Sequence, residues 1–474
     1  MFRRNLLSTL ILLLFVGALS AQDSWSLQQC LEYARQNNIS VKQAQATIKS
    51  NELNLKQSQF NRLPNLNANV SYGRNFGLSL DYLTNSFQNQ SSGYSNIGLS
   101  AGVTVFAGSQ INNSIKQNKM LLEASNLDAS NTVNTLSLNV ATAYLNILLG
   151  EEQLANARKQ LELSQAQLDQ IDRLIRAGSR PENERFDLLA QIARNEQTII
   201  DAENTIAIGY LNLKQLMNVD QNTDIRIQRP EVNAPTVNPD EFALNEVYTT
   251  ALGTQPQIKA TDLRLEGAQL GVDLAKGALY PTLSVFGNLD TRYSTEGRRI
   301  VDTRTERVEQ TIYLNDTPYT FGVDQEVNSF DNNPYFDQLR ENFGQSFGVS
   351  LRIPIFNNLQ NIIGVQRAQV TVLTTEVQNQ QVRQQLKTDI QQAIASARAA
   401  KRSYDAAQRS VEASQIAFDN AQKRFELGAI NTFDFTTARN NLDQAQISLI
   451  RSKYQYFFNV KVVEFYLGRE IKID

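Results

Sequence analysis

Residues 154–213 read LANARKQLELSQAQLDQIDRLIRAGSRPENERFDLLAQIARNEQTIIDAENTIAIGYLNL, and apolar residues recur in this stretch at every seventh position. The recurrence runs on both sides of an Arg-Ala-Gly-Ser bend at residues 176–179: Leu154, Leu161, Leu168 and Ile175 before it, then Ile192, Ile199, Ile206 and Leu213 after it. Such a repeat keeps one side of a helix against a partner helix. The stretch therefore predicts a long helical hairpin from residue 111 to residue 216, bent around Gly178.

A second copy of this hairpin is predicted from about residue 361 to residue 466, with its bend around Gly428 at residues 426–429. Its apolar residues keep the same spacing: Tyr404, Val411, Phe418 and Phe425, then Leu442, Leu449, Tyr456 and Val463. Segments before the hairpins match at an offset of 217 residues, and the hairpins match at an offset of 250. We therefore predict a first repeat at 22–220, a proline-containing linker at 221–240, and a second repeat at 241–474.

Alternating apolar residues precede each hairpin and predict two β-strands in each repeat. The apolar positions begin at Leu66 and Ile97 in the first repeat, and at Leu283 and Phe347 in the second. Each run covers about ten residues, the length that a tilted strand needs to cross a bilayer. A soluble, half-buried hairpin has the same alternation, so both interpretations stay open at this point. The second repeat carries 33 extra residues, and its segment 294–342 predicts a long, polar, solvated loop.

The first 21 residues have the pattern of a secretory signal peptide. Arg3 and Arg4 precede an apolar run at residues 10–16, and small residues follow at 18–21. This apolar run is too short to span a membrane, and no second long apolar run follows it. The formal net charge of −3 gives no indication of a nucleic-acid partner.

The composition restricts the chemistry that the chain can perform. It contains no histidine and a single cysteine, Cys30. This excludes a Ser-His-Asp triad, a Cys-His pair, the usual zinc sites and a disulfide within the chain. We predict Cys30 to be a small buried residue beside Leu27 and Leu31. A hydrolase with paired carboxylates has little support, because most acidic residues lie on predicted helix surfaces. We therefore predict no enzyme activity and no cofactor.

Four strands are too few to form a closed membrane barrel, since known membrane barrels begin at eight strands. An open sheet in lipid would leave backbone groups unpaired at both edges, each at a cost of several kcal/mol. Several copies around one axis would remove this deficit: a dimer would supply eight strands, a trimer twelve and a tetramer sixteen.

The second bend carries a more specific motif. Residues 424–434 read RFELGAINTFD, with an aromatic residue before Gly428 and an aspartate, Asp434, six residues after it. The first copy has Arg180 and a proline after Gly178, and Glu184 at the matching acidic position. Together with the duplication, the motif resembles the outer-membrane efflux protein (TolC-like) family over essentially the whole mature chain.

This resemblance implies a mainly helical fold with membrane β-structure. Three copies would form a twelve-stranded β-barrel in the outer membrane and an α-barrel of twelve helices in the periplasm. The protein would be a homotrimer in outer-membrane lipid, a passive exit duct that exports small molecules or polypeptides. Its partners would be a periplasmic membrane-fusion adaptor and an inner-membrane pump of the RND or ABC type. The chain has no nucleotide-binding P-loop, so the energy would come from that pump. The alternative is a periplasmic or surface coiled-coil scaffold without a pore.

The resemblance also assigns roles at the bends. Gly178 and Gly428 would form the turns of the periplasmic tip, where the adaptor docks. Glu184 and Asp434 would lie at the periplasmic entrance and Asp187 one turn further, where Thr437 stands in the second copy. Carboxylates brought together by threefold symmetry would attract cations and disfavour anions. The alternative role for each acid is capping of the following helix, worth about 0.3–1 kcal/mol.

Overall fold

The computed structural model describes residues 24–81, 86–230, 235 and 237–469. The predicted signal peptide lies outside these residues, as does part of the predicted linker. The chain divides into two compact units. One, the helical unit, comprises residues up to 53, residues 119–268 and residues from 371 onward; the other, the sheet unit, comprises 54–118 and 269–370.

The helices occur as four pairs of equal length, one member in each half of the chain. The predicted duplication and both long hairpins are confirmed. The first half contains α1 (Leu27–Asn37), α2 (Ile39–Phe60), α3 (Gln110–Arg176) and α4 (Asn183–Met217). The second half contains α5 (Leu244–Thr254), α6 (Pro256–Gly277), α8 (Gln360–Glu426) and α9 (Thr432–Tyr466), with a short α7 (Tyr335–Glu341) within the sheet unit. Among the helices of the described part of the chain, none is both long enough and apolar enough to cross a membrane.

The contact between α3 and α4 differs in detail from the predicted apolar seam. Two other series with the same spacing, mostly of smaller residues, are buried: Gly150, Ala157, Ser164 and Ile171 on α3, and Leu188, Asn195, Ala202 and Gly209 on α4. A Cβ atom added at Gly209 would lie 2.7 Å from Cγ1 of Ile147, which shows how closely the two backbones approach. On α3 and α4 the bulky residues of the predicted repeat are only half-buried within one chain, except for Leu213. On α9 the predicted positions Leu442, Tyr456 and Val463 are buried.

The described residues of the sheet unit form six antiparallel strands: β1 (Asn65–Asp81), β2 (Ser86–Ala107), β3 (Thr282–Ser294), β4 (Arg298–Leu314), β5 (Thr317–Asn332) and β6 (Gly344–Arg352). The four predicted strands form one sheet in the order β1-β2-β3-β6. Residues 282–290 of β3 pair with residues 344–352 of β6. The paired segments have the length that a tilted strand needs to cross a bilayer.

The register of this sheet separates an apolar face from a polar one. Across the strands, Val103, Val285 and Val349 lie side by side, and the neighbouring row contains Thr104, Ser284 and Ser350. The same alternation continues along each strand, with Leu66, Val70, Leu99, Leu283, Leu289, Phe347 and Leu351 on the apolar face. The two outer strands, β1 and β6, each have a partner on one side within this chain.

The structure contains more strand than predicted, and the loop predicted at 294–342 is wrong. Residues 74–81 and 86–96, which lie beyond the predicted runs of about ten residues, continue the β1–β2 pairing. Segment 294–342 contains the β4–β5 hairpin and α7, although most of its residues are exposed as predicted. Its turn uses Asn315 and Asp316 with φ of 49° and 60°, the backbone that two-residue hairpin turns favour. Backbone pairing across a tight turn stabilises these strands although their side chains are polar.

The core of the helical unit contains Cys30, which is fully buried in one cluster with Leu27 and Leu31, as predicted. Burial raises the pKa of the Cys30 thiol to about 12, so the reactive thiolate is scarce at neutral pH. Trp25, near the start of the described chain, packs against the same core. Trp25 pairs with the linker segment through its N–H to Arg226 O (2.7 Å), and the Tyr144 hydroxyl donates to Gln228 O (2.7 Å).

Candidate functional site

The two bends of the helical unit have the same backbone structure. After α3, Gly178 donates to Ile175 O and Ser179 donates to Leu174 O, both at 2.9 Å. After α8, the equivalent bonds run from Gly428 to Phe425 O (2.9 Å) and from Ala429 to Arg424 O (2.8 Å). This pair of bonds is the Schellman motif, which ends a helix with a left-handed residue. The glycines have φ of 73° and 71°, a region that side chains with a Cβ rarely adopt.

The helices that follow the bends begin differently. In the second hairpin, Asn431 caps α9 by accepting a hydrogen bond from the Asp434 backbone N–H at 2.8 Å. In the first, Glu182 precedes α4 and makes no side-chain capping bond. Within the first turn of α4, the carboxylate of Glu184 points to other partners. Asn431 makes the capping bond in the second hairpin, and both Glu184 and Asp434 lie in the first turn of their helices, where a carboxylate stabilises the helix N-terminus.

Glu184 links the two hairpins of the chain. Its carboxylate accepts a hydrogen bond from the Thr432 hydroxyl at 2.5 Å, and Arg180 Nη1 lies 3.3 Å from its other oxygen. The side chains of Arg180 and Glu184 are 16% and 9% exposed, and Thr432 is buried. A charge-assisted hydrogen bond this well shielded from water is stronger than a surface ion pair.

Arg180 makes the second connection between the bends. Its Nη2 donates to Phe425 O at 3.1 Å, and its guanidinium lies 4.7 Å from the centre of the Phe425 ring. Phe425 in turn stacks on Phe435 with ring centres 4.7 Å apart. We name Arg180, Glu184, Phe425 and Thr432 the tip link, because these four side chains join the first hairpin to the second at their bends.

The other predicted entrance residues lie outside the tip link. Asp434 is exposed and Asp187 is half-buried. Leu427 and Phe433, beside the second bend, are also exposed, although both are large and apolar. The bends thus present carboxylates and apolar side chains to the surroundings of the isolated chain, while Glu184 is engaged internally.

Sequence reasoning did not assign functional roles to Arg180, Phe425 and Thr432. Arg180 and Glu184 are four residues apart, the spacing of an ion pair on a helix, but they flank a proline in a turn. Nothing in the local sequence indicates that Arg180 also contacts Phe425, because the two residues are 245 positions apart.

A model of the outer membrane efflux protein family matches residues 30–219 and 247–469 of this chain. The outer membrane efflux protein BepC of Brucella suis biovar 1 (strain 1330) is 20% identical over 447 residues, which cover 91% of this chain and 82% of BepC.

Solved structures show the same fold. The structure of CusC matches with a TM-score of 0.75 at 16% identity, covering 96% of each chain. The outer membrane protein VceC of Vibrio cholerae matches with a TM-score of 0.74 at 16% identity, covering 94% of this chain and 97% of VceC. These likenesses confirm the predicted fold class, a mainly helical fold in which duplicated helical hairpins accompany antiparallel strands.

Proposed function

The chain belongs to the outer membrane efflux protein family, and from this premise we propose that it is the passive exit duct of a tripartite efflux pump or a type I-like secretion system. The family is one of TolC-like outer-membrane channels and not of enzymes. The family resemblance inferred from residues 424–434 and from the duplication is therefore confirmed. The cargo and the type of pump belong to the proposal.

The observation that carries the proposal is the two-sided sheet of β1, β2, β3 and β6. Its apolar face suits lipid and its polar face suits a water-filled lumen. Its outer edges need partners, because unpaired backbone groups are costly in a bilayer. Three copies around one axis would join β6 of each protomer to β1 of the next and close a twelve-stranded barrel. The half-buried apolar residues of the long hairpins would be covered by the same association.

The long hairpins would form the periplasmic α-barrel, with the bends at its entrance. A membrane-fusion adaptor would dock there, and the exposed Leu427 and Phe433 are apolar side chains that such a partner would cover. An inner-membrane pump of the RND or ABC type would supply the energy. The two repeats, 22–220 and 241–474, would each contribute one hairpin and two barrel strands, with the linker 221–240 in the equatorial region and the β4–β5 hairpin outside the cell.

The proposed duct is tested by extraction and by conductance. We expect the protein to leave outer membranes only with detergent, to migrate in a heat-modifiable manner, and to form ion-conducting channels in planar bilayers. A scaffold without a pore would be released by salt and would conduct no ions. Release by salt alone would therefore reject the duct and favour the scaffold.

At the entrance, we propose that Asp434 and Asp187 set the ion preference and that Glu184 holds the closed tip through the tip link. The exposed position of Asp434 and the half-buried position of Asp187 support the first role, since threefold symmetry would multiply each charge. The internal bonds of Glu184 support the second.

Asp434→Asn should reduce the cation preference of the channel by about twofold, because three negative charges leave the entrance. The measurement is the reversal potential in a salt gradient across a planar bilayer. Asp201→Asn, on the exposed side of α4 and remote from the bend, provides the matched control. An unchanged reversal potential for Asp434→Asn would remove this residue from the entrance.

A further inference from the structure

A buried ion pair lies on α9, away from the tip link. Arg439 and Asp443 are one helical turn apart, with Arg439 Nε 3.9 Å from Asp443 Oδ2. Their side chains are 3% and 11% exposed. Neither oxygen of the Asp443 carboxylate has a hydrogen-bond partner in the described part of the chain. Buried carboxylates ordinarily accept hydrogen bonds, because desolvation otherwise disfavours the charge.

The hydrogen bonds of Arg439 go to α3 instead. Arg439 Nη2 lies 2.9 Å from Gln160 Oε1 and 3.3 Å from Gln160 O. The Gln160 carbonyl also accepts from Asn195 of α4 at 3.1 Å, and Asn195 donates to Ser164 at 2.8 Å. Arg439 thus joins α9 to the buried contact between α3 and α4. The neighbouring Asp443 carboxylate receives no hydrogen bond from the described residues.

Asp443 lines two cavities between these helices, of about 510 Å³ and about 270 Å³. The charged side chains that share these cavities are all cationic: Lys159 from α3, Arg194 from α4 and Arg439 from α9 itself. The side chains lining the larger cavity from α8 are uncharged: Gln415, Phe418 and Gln422. The cavities provide room for the carboxylate to meet water if α9 moves.

We propose that Asp443 makes the packing of α9 against α3 and α4 sensitive to protons. The neutral acid favours the packed arrangement, and the ionised acid favours one in which α9 shifts and water reaches the carboxylate. The link to the duct rests on the proposed function: α9 begins at Thr432 of the tip link, about three turns before Asp443. A shift of α9 would therefore reach the entrance.

The direction of the pH dependence follows from the environment of the carboxylate. Burial raises the pKa of Asp443 to about 6, although the Arg439 guanidinium opposes the rise. The packed arrangement therefore binds this proton more tightly than an arrangement in which the acid is hydrated. The stabilisation is present at low pH, falls as pH rises above about 4, and is lost above about 6.

Hydrogen exchange of purified trimers in detergent tests this proposal. In the wild-type protein, amides of residues 436–450 should be about tenfold less protected at about pH 7.5 than at about pH 5, after correction for intrinsic exchange rates. Asp443→Asn, which cannot ionise, should show equal protection at both values. Asp169→Asn, an exposed substitution of the same kind on α3, should keep the wild-type dependence.

Equal protection of the wild-type protein at both pH values would overturn the proposal, as would a tenfold change that persists in Asp443→Asn. If Asp443→Asn does not form trimers, Asp443→Leu, which also cannot ionise, takes its place in the comparison. Exchange reports helix packing and not export. A negative exchange result therefore does not contradict the proposed duct function. If the duct function is rejected by extraction or conductance, the exchange result still tests the role of Asp443 in helix packing.

Discussion

Gly428→Val should abolish export while trimers still assemble. The left-handed backbone at Gly428, with φ of 71°, costs an L-residue about 1–2 kcal/mol, and a β-branched side chain more. A Cβ at this position would meet no atom within 4 Å, so the penalty comes from the backbone alone. Relief of this strain would open the Schellman turn and displace Phe425 and Thr432, which both belong to the tip link.

The measurement for Gly428→Val has two parts. Assembly is followed by heat-modifiable migration, and export by growth of a deletion strain on dyes, detergents and antibiotics together with analysis of its secreted proteins. Gly428→Asn should be milder, since asparagine tolerates the left-handed region better than valine. Gly364→Val is the control, because Gly364 is a helical residue of α8 with equally open surroundings. Loss of trimers in Gly428→Val alone would show that the bend serves assembly.

Glu184→Ala should raise the resting conductance of the channel severalfold. The substitution removes the acceptor for Thr432 and leaves the Arg180 guanidinium uncompensated in a poorly hydrated position. Removing one partner of a buried pair typically costs about 3–5 kcal/mol, much of it from the charge left behind. If the tip link holds the closed entrance, this loss shifts the population toward open channels.

Single-channel recording in planar bilayers measures the effect, and two comparisons make it specific. Thr432→Val should act in the same direction, and combining it with Glu184→Ala should add little, because both remove one interaction. The surface pair of Arg185 and Asp172, 3.4 Å apart on the same hairpin, is the matched control. Asp172→Asn should change conductance little, since exposed pairs contribute about 0–1 kcal/mol. Equal effects of Asp172→Asn and Glu184→Ala would exclude a specific role for the tip link.

The predicted bends show what local sequence can specify. Gly178 and Gly428 lie after helices with strong seven-residue periodicity, and each adopts the left-handed conformation that ends a helix. The same reasoning placed the end of the first hairpin at residue 216, one residue from the observed end of α4 at Met217. These features depend on neighbours within a few residues, so the local sequence contains the required information.

The incorrect loop prediction concerned a segment whose structure depends more on pairing between strands than on amino-acid composition. Segment 294–342 looked like a polar loop, yet β4 and β5 pair along its length. A clue was present, since Asn315 and Asp316 are residue types that accept positive φ in a tight turn. Polar strands lack the apolar alternation by which strands are recognised, and pairing depends on the opposite strand.

The duplicated hairpins, the four strands of the main sheet and the bends could be predicted from the sequence, because periodicity and turn chemistry are local properties. Which side of α3 and α4 is buried depends on the tertiary structure. The small series through Ser164 and Asn195 forms the inner contact, since close approach of two backbones requires small side chains. The tertiary structure also brings Arg180 to Phe425 and Glu184 to Thr432. Contacts across some 250 residues arise from the packing of whole helices, which no local spacing encodes.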